Sequence, residues 1–122
     1  MSSEDVDQRD PQWLRGLLPL VVLAVLEQGE CYGYDLSRQL EAAGLGEVKG
    51  GTLYPVLARL ERDGLVSIRW SQPSAGPARK YYRLTSTGRT HLAEGTAGWS
   101  RFATRVMALF EPMIEESHHA TN

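Results

Sequence analysis

Residues 52–84, TLYPVLARLERDGLVSIRWSQPSAGPARKYYRL, change from helical to strand periodicity within one short stretch, and that change decides the fold. Leu53, Val56, Leu57 and Leu60 recur at three- and four-residue spacing, the stripe of a helix running from about Thr52 to Asp63. Pro55 falls in the first turn of that helix, where N–H groups have no intrahelical partner. Gly64 supplies a left-handed stop. Val66, Ile68 and Trp70 then alternate with Ser67, Arg69 and Ser71, which predicts a half-buried strand. The stretch QPSAGPA is turn chemistry, and Arg79 to Leu84 returns as a second strand with Tyr82 and Leu84 in phase.

On the N-terminal side, YGYDLSRQLEAAG places Leu36, Leu40 and Ala43 on one helical face and stops at Gly44. The loop GLGEVKGG has Lys49 at the third position that a dinucleotide fingerprint requires to be glycine, and no Walker sequence is present. It reads as a plain turn. Further out, Asp10 and Pro11 are an N-cap and a first-position proline, the start of another helix that ends at Gly29. Trp13, Leu14, Leu17, Leu18, Val21, Val22, Val25 and Leu26 cover more than one of its faces, so burial between two surfaces is expected, part of it from a partner chain. Pro19 is expected to kink or split this helix near Leu18.

On the C-terminal side, Thr85 or Ser86 caps a long helix through Glu111, where Pro112 is expected to weaken or end it. Leu92, Gly95, Trp99, Phe102, Val106, Leu109 and Met113 form a heptad seam, widened by Ala103 and Phe110. Some 25 residues of helix would be roughly 37 Å long. An 80-residue domain cannot cover it on every apolar side, so a second chain is expected to.

The 122 residues suffice for one compact domain. Leu17 to Leu26 is the longest apolar run, about half of what a membrane span needs. The acidic start MSSEDVDQRD lacks a signal peptide's basic region and Cys31 is the one cysteine, so a reducing cytoplasm is the expected location. The net charge of −2 conceals a partition. Residues 49–89 hold Lys49, Arg59, Arg62, Arg69, Arg79, Lys80, Arg83 and Arg89 against Glu61 and Asp63, a balance of +6 that leaves −8 elsewhere. One basic face on an acidic protein can still steer toward phosphate. His91 stands alone, His118 and His119 lie beside Glu115 and Glu116 without ligand spacing, and Ser37 and Cys31 lack a visible base partner. No catalysis, metal or cofactor is expected.

Three helices followed by a hairpin is the order of a winged helix-turn-helix, whose third helix enters the major groove. The fold class is therefore mainly α with a small β-hairpin, a winged helix-turn-helix plus a long C-terminal dimerisation helix. Residues 1–10 read as a disordered acidic start, 11–85 as the DNA-binding domain, 86–114 as the dimerisation helix and 115–122 as a flexible tail. The alternative is a winged-helix module that binds protein without touching DNA.

The stretches YGYDLSRQL, GGTLYPVLARLERDGLV and GPARKYYRLTSTG resemble the PadR family of transcriptional regulators, and they cover most of residues 32–88 in the family's order. The resemblance implies a homodimeric, ligand-responsive repressor that binds an inverted repeat in double-stranded promoter DNA. With a single helix after the wing, the chain is similar to the short-tailed subfamily, whose dimers join through the first and last helices. Carried over by position, Lys49, Thr52, Tyr54 and Arg59 are the candidate contacts at the recognition helix, and Arg79 and Lys80 those at the wing base. Tyr54 is open to a second reading in which its ring packs on the second helix. Leu17, Val21, Leu92, Trp99, Phe102, Val106 and Leu109 are the candidate dimer contacts. Trp99, Gly95 and Phe102 are candidates for a slot that takes a planar aromatic effector, the other reading being that Trp99 fills the dimer core.

Overall fold

The computed structural model describes residues 11–121, with side chains over residues 12–116, so the Asp10 cap and the acidic start lie outside the described residues. Contacts divide the chain into one unit ending at Leu92 and a second beginning at Ala93.

The first unit contains α1 (Pro11–Glu27), β1 (Cys31–Tyr32), α2 (Gly33–Ala42), α3 (Gly50–Arg62), β2 (Val66–Ser71), β3 (Arg79–Leu84) and the opening turns of α4 (Ser86–Thr121). Leu18, Val22, Leu23 and Leu26 of α1 meet Leu36 and Leu40 of α2, Leu53, Leu57 and Leu60 of α3, and Tyr82 of β3 in one core. Each such leucine contributes about 1.5–3 kcal/mol by leaving water. That gain explains why α1 continues through Pro19 instead of splitting: packed residues on both sides outweigh the hydrogen bond Pro19 cannot make. Leu23, which the expected α1 set omitted, is fully buried, whereas Trp13 is exposed. Ala43 also lies in solvent, just past the end of α2.

Both α2 and α3 end by the same device. Gly44 donates to the Glu41 carbonyl and Leu45 to that of Leu40; Gly64 donates to Glu61 and Leu65 to Leu60. The glycines have φ of 87° and 75°, so the expected stops are where the sequence puts them. The start of α3 differs from expectation. Lys49 is its N-cap, two residues earlier than a Thr52 start allows, and Pro55 therefore falls beyond the first four positions and leaves the Gly51 carbonyl without a helical donor. Gly51 is exposed, so water can serve that carbonyl.

The hairpin of β2 and β3 is joined by a third strand, giving an antiparallel sheet of order β1-β3-β2. Val66 pairs with Leu84 and Ser71 with Arg79, while Cys31 pairs with Tyr82 and Tyr32 with Tyr81. Burial fades along β2: Val66 is buried, Ile68 half-buried and Trp70 65% exposed, because the hairpin runs past the edge of the core. Trp70 is in phase with the core but has none beneath it. Cys31 is buried on the core side, and burial pushes its thiol up to about 11.

Thr85 caps α4. Its hydroxyl donates to the Gly64 carbonyl (2.7 Å) and accepts from the Gly88 amide (2.9 Å), which ties the start of α4 to the turn that closes α3. Gly88 fits there because a β-carbon would collide with the Leu65 carbonyl oxygen. Arg89 pairs with Glu27 at 3.3 Å, joining the opening turn of α4 to the end of α1.

The second unit is the remainder of α4. The helix continues through Pro112 to Thr121, so it is not ended near Glu111 and residues 115–121 are helical where a flexible tail was expected. Its 36 residues span about 54 Å. Residues 107–116 are exposed throughout, and Met107, Leu109, Phe110, Met113 and Ile114 are among them.

Candidate nucleic-acid interface

At 100° per residue, the buried face of α3 is centred on Leu53, Leu57 and Leu60. Directly opposite lie Pro55, Ala58, Arg59 and Arg62, all exposed, with Thr52 on one flank and Tyr54 with Glu61 on the other. Arg62 stands at the centre of this face and belongs with the candidates, although the sequence reading preferred Thr52, Tyr54 and Arg59. Lys49 is exposed at the N-cap, where its carbonyl accepts from the Thr52 and Leu53 amides at 2.9 Å.

Tyr54 packs on the second helix, as its second reading has it. Its ring lies against the backbone at the start of α2, so that a β-carbon on Gly33 would sit 2.6 Å from its hydroxyl and one on Gly50 3.2 Å from its ring. The side chain is nevertheless 51% exposed. The two glycines let the ring lie close while one face and edge remain open.

Arg79 and Lys80 are neighbours in β3 and therefore point to opposite faces of the sheet. Lys80 turns toward α3, 3.8 Å from the Glu61 carboxylate and 5.5 Å from the centre of the Tyr82 ring. Burial raises the phenol of Tyr82, with the Lys80 charge opposing it. Arg79 lies on the outer face, its guanidinium 4.8 Å from the centre of the Tyr32 ring. Arg69, across from Tyr81, lies 4.8 Å above that ring. Its Nε donates to both carboxylate oxygens of Glu30 at 3.1 and 3.3 Å, which holds the Glu30 carboxyl below its ordinary range. Sequence reasoning missed this outer face because β1 is two residues long, too short for periodicity to reveal. The alternation of Tyr32 and Tyr34 was the available signal.

Of the residues expected at a dimer contact, Val21 and Leu92 pack against the first unit's own core and Leu17 is half-buried. On the second unit Trp99, Phe102 and Leu109 are exposed, Leu109 at 75%, and Val106 is half-buried. The Trp99 and Phe102 rings lie 6.1 Å apart between centres. A shallow groove along the helix is lined by Trp99, Ala103, Met107 and Glu111; neither Gly95 nor Phe102 lines it. A β-carbon on Gly98 would find nothing closer than the Arg101 guanidinium at 3.8 Å. Among the described residues no group of acidic, histidine and cysteine side chains could hold a metal ion, and no helix is long and apolar enough to cross a membrane.

A family model described as the transcriptional regulator PadR-like family matches residues 22–94. A transcriptional regulator of Mycobacterium tuberculosis is 33% identical over 111 residues, 91% of this chain and 96% of the relative. Among solved structures, a PadR family transcriptional regulator from Eggerthella lenta is 34% identical with a TM-score of 0.76, over 89% of this chain and 96% of that one. A PadR-like transcriptional regulator from Bacillus cereus is 36% identical with a TM-score of 0.73, over 81% and 96%.

Proposed function

The chain belongs to the PadR-like family of DNA-binding transcriptional regulators, which are not enzymes, and from that premise we propose that it acts in the cytoplasm as a homodimeric, ligand-responsive repressor on an inverted repeat in a promoter. The observation that carries the reading is the placement of free positive charge. Lys49 is exposed at the N-cap of α3, Arg59 and Arg62 stand on its exposed side, and Arg79 opens β3 next to the wing loop. The recognition helix reads the major groove through Thr52, Tyr54, Arg59 and Arg62, and Lys49 and Arg79 hold phosphates.

Two half-sites require two copies. The apolar stripe of α4 through Trp99, Phe102, Val106 and Leu109 supports pairing with a second copy, and Leu17 of α1 is a further candidate contact of that pairing. In that dimer the open position at Gly98 and the ~3 kcal/mol cost of Pro112 in a helix are offset by packing that one chain does not supply. The groove beside Trp99 is where a planar aromatic effector stacks and shifts the spacing of the recognition helices.

An electrophoretic shift with the DNA upstream of the protein's own gene tests this. Binding that is lost when one arm of an inverted repeat is scrambled supports it. Failure to shift that DNA at low salt, together with capture of a protein partner, favours the interaction-module reading instead.

A further inference from the structure

Arg69 and Arg79 each lie over a tyrosine ring on the outer face of the sheet, the guanidinium carbon 4.8 Å from the ring centre, yet they are left with different chemistry. A guanidinium has two faces that stack and an edge of N–H groups that donates. Glu30 occupies the edge of Arg69, so that arginine is a strut between the β1 approach and β2. Arg79 forms no ion pair with any described residue and is exposed, so its edge remains free. We propose that Tyr32 is a positioning residue for DNA binding: its ring holds Arg79 flat at the wing base, with the donor edge turned out and ready for a phosphate.

The placement of Tyr32 is itself fixed. It pairs across the sheet with Tyr81, and the two rings meet edge to face at 5.6 Å. That contact orients the Tyr32 ring from the side and leaves a face for Arg79. A long, flexible side chain loses rotamer entropy when it is immobilised on DNA. A ring that already restricts it lowers this cost at the moment of binding. The two-residue strand β1 thus has a use beyond closing the sheet, because without it no ring would lie beneath Arg79.

The inference rests on the reading that the wing meets the DNA backbone, and the test separates the two. Affinity for the operator is measured against salt for Arg79→Ala, Tyr32→Leu, Tyr32→Phe and the double variant Tyr32→Leu with Arg79→Ala, each checked by thermal melting. Arg79→Ala flattens the logarithmic salt slope by about one. Tyr32→Leu weakens binding about two- to fivefold, Tyr32→Phe retains full affinity, and Tyr32→Leu adds nothing once Arg79 is alanine. An equal loss from Tyr32→Leu in both backgrounds overturns the positioning role and leaves the wing contact standing. An unchanged slope in Arg79→Ala overturns the wing contact itself. Should Tyr32→Leu fail to fold, the Arg79 side-chain protons of the wild-type protein decide by nuclear magnetic resonance. They are displaced by the ring current of Tyr32, and resonances at ordinary positions refute the stack.

Discussion

The hydroxyl of Tyr54 occupies space that a β-carbon on Gly33 would need, with 2.6 Å between them, so the ring at the head of α3 lies this close to α2 because residue 33 has no side chain. Alanine ordinarily stabilises a helix over glycine by roughly 0.5–1 kcal/mol. Here the sign is reversed by overlap, and Gly33→Ala is expected to destabilise by about 1–2 kcal/mol in thermal melts. In a Tyr54→Ala background the same change becomes stabilising while DNA binding stays weak. A stabilising Gly33→Ala in the wild-type background rules out this packing.

The joint between the wing and α4 is stiffer. Gly88→Ala drives a methyl into the Leu65 carbonyl oxygen, which is backbone and cannot rotate aside, and a loss of about 3 kcal/mol or more is expected. Thr85→Ala removes the cap and the bond to Gly64, for about 1–2 kcal/mol, whereas Thr85→Ser retains both. Chemical denaturation orders the three, and parity of the serine and alanine variants would remove the hydroxyl from the account.

Replacing Val106 and Leu109 by glutamate should give a folded monomer. Leu109 is 75% exposed in one chain, so the charge costs that chain little, but in a dimer it would be buried unpaired. Light scattering at micromolar concentration should show one chain instead of two, with an unchanged helical circular dichroism signal per residue. A monomeric wild type sinks the dimer.

Lys80 and Glu61 call for a different experiment from Arg79. With Lys80 3.8 Å from the Glu61 carboxylate, the lysine masks a negative charge beside the face offered to phosphate. Lys80→Ala should weaken binding by roughly three- to tenfold, and adding Glu61→Gln should restore most of it by removing the exposed repulsion. If Glu61→Gln restores nothing, Lys80 contacts DNA directly.

A planar aromatic cation should quench Trp99 and release DNA over one concentration range. The measurement needs Trp13→Phe and Trp70→Phe, which replace the other two indoles, both exposed and outside the core. Quenching without release would make the groove a binding site unconnected to DNA.

The α3 stripe, the Gly44 and Gly64 stops and the phase of Tyr82 were legible because each depends on neighbours a few residues away. The long-range features were not. Leu23 was left out of the apolar set of α1 and is buried in the core shared with α2 and α3, and Trp70 looked like core until the hairpin outran the helices beneath it. Pro19 and Pro112 read as breaks because local rules assign a proline its cost without knowing what lies beside it. At the interface, composition located the basic residues, but only the alternation of faces along β3 separates Arg79 from Lys80, and only the Glu30 carboxylate, far away in the sequence, separates Arg69 from Arg79.

The buried thiol of Cys31 has a practical consequence. With its ionisation pushed up to about 11, the group is held as the thiol at neutral pH, and the side chain is walled off by the core. Maleimides and spin labels should pass it by. A cysteine engineered at the wing tip or along α4 would then be the single reactive handle on the native background, so distances across an assembled pair can be followed by dye or spin pairs without first removing a core residue.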